Sequence, residues 1–152
     1  MDAGKYDRYK IKLEDGEIAS IKTGGHTINK FAAPASTNKL AKLYIIKSGI
    51  EIVYVGITSQ SVRERLRLGF NAKGEKGYHG YKWKNLSQVE MLVWYFPDSA
   101  LSAVESVEAE IVYLIRLHSG LWPKHQMEIH FHQSAKNEIY LAEAIYRECM
   151  RN

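Results

Sequence analysis

Hydrophobic and polar residues alternate at the start of the chain. In KIKLEDGEIASIK, Ile11 and Leu13 stand two apart, Asp15-Gly16 interrupts, and Ile18 and Ile21 follow in a less regular phase. Alternation on both sides of Asp-Gly predicts a β-hairpin with a tight turn. From Thr23 to Asn38 the chain is rich in Gly, Thr, Ser, Asn and Ala and contains Pro34, which predicts a connection. Residues 1–38 then read as a hairpin appendage with its connector, and 39–152 as the main body. The body opens with KLYII (42–46) and IVYV (52–55), joined through Ser48-Gly49 and predicting an antiparallel pair. Ser61 and Glu64 have the spacing of a capping box, so a helix begins there with Val62, Leu66 and Phe70 inward and Arg63 and Arg67 on other faces. VEMLVWYF (89–96) predicts a further strand, ended by Pro97-Asp98. A second capping box at Ser102 and Glu105 precedes Val104, Val107, Ile111, Leu114 and Ile115 at helical spacing, closing at Gly120. EIHFH (128–132) reads as another strand, and Ile139, Ala142, Ile145, Tyr146 and Cys149 line one side of a terminal helix. Segregated strands and helices in this order describe an α/β chain of the α+β kind.

Composition agrees with an ordinary globular domain: 152 residues, 45% hydrophobic and 25% charged. One cysteine cannot form an internal bridge, so a reducing, cytoplasmic setting is the expectation. No apolar run has the length of a membrane span or a signal sequence, and no membrane partner is expected. The net charge of +4 is unevenly placed. Residues 63–84 hold seven basic side chains against Glu64 and Glu75, a net +5, so the remainder sums to −1. Tyr78, His79, Tyr81 and Trp83 are interleaved with these charges. Phosphate attraction combined with base packing uses that mixture; a solvated basic segment with its aromatics turned inward is the alternative.

LYI at 43–45 and YVG at 54–56, with Tyr44 and Tyr54 ten residues apart, are followed by Arg65 eleven residues later, Glu110 on a later helix, and Pro123 with Gln126. In this order and spacing the chain resembles the GIY-YIG nucleases over residues 43–126. The resemblance implies a small three-stranded antiparallel sheet flanked by helices and a metal-dependent endonuclease that hydrolyses DNA phosphodiesters with Mg²⁺ or Mn²⁺. It implies that Tyr44 touches the attacking water, Tyr54 lines the same pocket, Arg65 clasps the phosphate and Glu110 binds the metal. A permanently charged, forked guanidinium suits phosphate, and a carboxylate suits a hard cation. A phenol with a pKa near 10 needs help to act as a base. Arg63 is the fallback for Arg65, and Glu108, on the opposite margin of the helix, for Glu110.

The chain also departs from the family pattern. Ile57 follows the YVG glycine where many members are polar, and Gly69 stands four residues after Arg65 where a His or Tyr is common. His79 is the expected proton relay, with Tyr78 as alternative. Arg63, Arg67, Lys73, Lys76, Tyr78, Lys82, Lys84 and Gln126 are expected on nucleic acid, with specificity from the hairpin, the basic window or homodimerisation. A restriction or defence role follows as an expectation from the compact size. Two other readings compete. One is a catalytically inactive nucleic-acid-binding module of the same fold. The other is a zinc-stabilised interaction domain using His130, His132, Glu128 and His125.

Overall fold

The computed structural model describes residues 3–126 and 129–151. Six strands form one sheet: β1 (Tyr6–Glu14), β2 (Glu17–Thr23), β3 (His26–Ile28), β4 (Ala41–Ser48), β5 (Glu51–Thr58) and β6 (Gln88–Phe96). Their spatial order is β3-β2-β1-β6-β4-β5 and every pairing is antiparallel. Three helices complete the α+β fold: α1 (Val62–Asn71), α2 (Leu101–Ser119) and α3 (Lys136–Met150).

The expected three-stranded sheet is therefore corrected to six strands. β6 is buried on both faces along Met91–Trp94 and needs a partner on each edge. β4 supplies one, through Leu43↔Trp94 and Ile45↔Leu92. β1 supplies the other, through Tyr6↔Trp94 to Lys12↔Gln88, so the N-terminal hairpin continues the sheet instead of hanging from it. Its two-residue turn is as expected, with Asp15 at φ 53° and Gly16 at φ 75°, the twist that suits adjoining strands. The connector hides one more strand. Gly24 and Gly25, both at positive φ, turn the chain back so that β3 pairs with β2.

Alternate residues of β4 and β6 face opposite layers. Leu43, Ile45, Leu92 and Trp94 pack with Val55 against α2 and α3 through Val104, Val107, Ile111, Ile145 and Cys149. Tyr44, Ile46, Met91 and Val93 face the other way, with Tyr54, against Val62 and Leu66 of α1 and against Tyr81 and Trp83. Ser61 caps α1, its hydroxyl accepting from the Glu64 N–H at 3.2 Å, while the Glu64 carboxylate turns to Arg67 rather than back to the cap. α2 starts at Leu101 with no side-chain cap, so Ser102 lies inside the helix; its end at Gly120, φ 79°, is as expected. The strand expected over 128–132 is replaced by irregular chain over 129–135, and Glu128 lies outside the described residues. Among the described residues no helix is long and apolar enough to cross a membrane.

Candidate active site

The site grows from the strand pairing. Tyr44 lies opposite Gly56 and Ile46 opposite Tyr54, which makes the two tyrosines diagonal neighbours on one face. Their ring centroids are 5.8 Å apart. Gly56 makes this approach possible. A Cβ there would stand 2.5 Å from Cζ of Tyr44 and 2.7 Å from Cε1 of Tyr54. The glycine of the YVG triplet is thus a packing requirement of the two phenols.

α1 crosses the same face and sends Arg65 toward them. The guanidinium carbon lies 5.1 Å from the centre of the Tyr81 ring and 5.8 Å from that of Tyr78, and Nη1 donates to the Tyr78 hydroxyl at 2.9 Å. Tyr81 reaches the middle of the cluster, its hydroxyl 2.8 Å from that of Tyr44. Two glycines admit it. A Cβ on Gly69 would meet the Tyr81 ring at 2.0 Å, and one on Gly80 would meet the Gly69 carbonyl oxygen at 2.1 Å. The Tyr81 N–H donates to that same carbonyl at 3.0 Å, strapping the loop after α1 onto the helix end. Gly69 therefore leaves a gap on α1 that a tyrosine from another part of the chain fills. Sequence reasoning missed Tyr81. The signal was a glycine on the inward face of a helix followed by Gly80-Tyr81 in a basic segment.

Burial pushes the Tyr44 phenol well above its ordinary pKa, with Tyr81 adding to the rise and Arg65 opposing it. Tyr54 is raised by burial and then by Tyr44, and Tyr81 is raised by burial against the pull of Arg65. All three phenols are neutral at neutral pH. Burial alone would lower the Arg65 pKa, but the phenols around it outweigh that and it stays charged.

The carboxylate coupled to this cluster is Glu108. Burial raises its pKa to about 8, Glu105 adds to the rise, and Arg65 lowers it. Glu108 also acts on Tyr54. α2 packs on β4 and β5 from the face opposite the tyrosines, and among the described residues no hydrogen bond or ion pair joins Glu108 to the cluster. Glu110 is two residues on, a rotation of about 200° around the helix; among the described residues no hydrogen bond or ion pair joins it to the cluster. One turn before Glu108, Glu105 meets His132, Nε2 to Oε1 at 2.5 Å, which fastens the irregular 129–135 segment to α2.

The remaining expected residues lie elsewhere. His79 is exposed and its ring sits over Gly74, where a Cβ would come within 2.7 Å of Cε1. Gln126 is committed to the sheet: its amide accepts from the Val55 N–H at 2.9 Å and donates to the Val55 carbonyl at 3.0 Å, completing the edge of β5. Arg63, Lys73, Lys76 and Lys82 are exposed and Lys84 half-buried, whereas Tyr81 and Trp83 turn inward. Arg67 is exposed and paired with Glu64. Among the described residues no three His, Cys, Asp or Glu side chains converge as a metal cage, and His132 is engaged with Glu105. A single carboxyl such as Glu108 would hold a hard cation only with water and phosphate oxygens completing the shell. Comparison of the chain with protein-family models, curated proteins and solved structures returns no match.

Proposed function

We propose that this chain is a metal-dependent endonuclease that hydrolyses DNA phosphodiester bonds, in the manner of the GIY-YIG nucleases it resembles. The observation that carries the reading is the meeting of Tyr44, Tyr54 and Arg65 around Tyr81 in one cluster. Hydrolysis joins a water oxygen to phosphorus as the bond to the departing 3′ oxygen breaks, and negative charge builds on the non-bridging oxygens. Arg65 is the cation placed to receive that charge, held by two aromatic rings and the Tyr78 hydroxyl. Tyr44, being neutral, acts by hydrogen-bonding the water rather than as a phenolate base. Glu108 would hold Mg²⁺ or Mn²⁺, with water and phosphate oxygens completing the shell. When bound, such an ion would lower the pKa of a coordinated water, an activation that neutral phenols do not supply. The exposed Arg63, Lys73, Lys76 and Lys82 would supply contacts to flanking phosphates.

A second reading has one specific observation behind it. Tyr44 is only 2% exposed, and its hydroxyl is occupied by Tyr81. A closed cluster of this kind also suits a binding module that has lost its chemistry. Nicking of supercoiled plasmid with and without Mg²⁺, by the wild type, Arg65→Ala and Glu108→Gln, separates the two. Cleavage that needs the ion and both residues supports the nuclease. Salt-sensitive DNA binding without cleavage under Mg²⁺ or Mn²⁺ supports the module.

A further inference from the structure

We propose that Tyr81 is a positioning residue for Tyr44: its hydroxyl fixes the direction of the Tyr44 O–H and so leaves a Tyr44 lone pair aimed at the attacking water. The inference rests on the nuclease reading and deepens it. A phenol hydroxyl has one hydrogen and two lone pairs, and it rotates freely unless a partner holds it. At Tyr44 the partner is the Tyr81 hydroxyl, 2.8 Å away and buried with it. When Tyr44 donates to Tyr81, its own oxygen is left as an acceptor. When the hydrogen lies the other way, Tyr44 offers a donor where the water also has hydrogens to place.

The second support is the space reserved for this ring. Gly69 and Gly80 both lack a Cβ where one would strike Tyr81 or its anchor, at 2.0 Å and 2.1 Å. The backbone bond from the Tyr81 N–H to the Gly69 carbonyl sets the height of the ring. Phe70 and Trp83 close on it from the side, with centroids at 5.7 Å and 4.7 Å. The Arg65 guanidinium covers it at 5.1 Å. A ring whose sole role was to fill volume would need no hydroxyl here. In a buried cluster an unpaired hydroxyl is costly, and here the Tyr44 and Tyr81 hydroxyls satisfy each other.

The test is a double-mutant cycle in the nicking assay. Tyr81→Phe keeps the ring over Gly69 and removes only the oxygen; it is expected to lower kcat about 100-fold, as misplacement of a reacting group does, with KM and DNA affinity near wild type and a Tm lowered by the Tyr44 hydroxyl left unpaired. Because Tyr81 acts through Tyr44, Tyr44→Phe/Tyr81→Phe is expected to be no slower than Tyr44→Phe alone. Gly69→Ala, which pushes the ring away, should reproduce the loss of kcat together with a lower Tm. A Tyr81→Phe variant that cuts at the wild-type rate overturns the inference, as does a double variant whose losses multiply. A wild-type chain that cuts with neither Mg²⁺ nor Mn²⁺ removes the nuclease reading and the inference with it, so the two failures are told apart by the wild-type lane.

Discussion

Replacing Glu108 with Gln should stabilise the protein while abolishing cleavage. The Glu108 carboxyl is raised to about 8, by burial and by Glu105, from the ordinary value of 4.5. Between those two pH values the native chain holds a proton that the unfolded chain has released, so native stability falls as pH rises through that window. At about 1.36 kcal/mol per unit, a shift of this size corresponds to at most about 5 kcal/mol. Partial exposure of the residue and solvent screening reduce this to an expected 2–4 kcal/mol, on the order of a third of a typical domain's stability. Gln keeps the shape and carries no charge, so its variant lacks this decline. Urea unfolding of both proteins at pH 5, 7 and 9 measures it. The stability of Glu108→Gln relative to wild type should climb by about 2–4 kcal/mol from pH 5 to pH 9. A relative stability that is flat across that range refutes the desolvated carboxyl, and with it the coupling to Arg65.

The same carboxyl must ionise to hold a cation, so at subsaturating Mg²⁺ the cleavage rate should rise about tenfold per pH unit below 8 and level off above it, a profile that Glu108→Gln cannot show. Gly56→Ala places a methyl 2.5 Å from the Tyr44 ring; a loss of about 1–3 kcal/mol in urea unfolding, with disrupted cleavage, is expected, whereas a fully stable variant would contradict the packing of the two phenols. Tyr44, Tyr54 and Tyr81 are all raised, so their neutral forms add stability that is lost only as pH climbs past the ordinary phenol range. Absorbance of tyrosinate should therefore show part of the ten tyrosines resisting ionisation until the chain unfolds in alkali.

The chain discloses its local structure more readily than its assembly. The Asp15-Gly16 turn, the Ser61 cap, the stop at Gly120 and both later helices follow from residues within a few positions of each other. Strand partnership does not. That β6 needs a neighbour on each side can be suspected from its apolar residues, but that β1 provides the second depends on contacts some eighty residues apart. The Gly24-Gly25 turn was hidden in a segment whose composition reads as loop. At the candidate site, Tyr44, Tyr54 and Arg65 were visible in their spacing, because two paired strands and the following helix form one local unit. Glu108 and Glu110 lie on opposite margins of the apolar stripe of α2, and that stripe alone does not show that Glu108 is the desolvated one. Tyr81 was out of reach for a related reason. The hydroxyl reaches Tyr44 only because two glycines, eleven residues apart, let a loop lie flat on a helix.

The most direct test of the central claim is a crystal structure of the Glu108→Gln variant, uncleaving by design, bound to a DNA duplex. The account predicts one phosphate of the backbone within hydrogen-bonding reach of the Arg65 guanidinium, with the Tyr44 hydroxyl facing the side opposite its 3′ oxygen. Phosphates held only by Lys73, Lys76 and Lys82, with Arg65 and Tyr44 still sealed beneath Tyr78 and Tyr81, would contradict it.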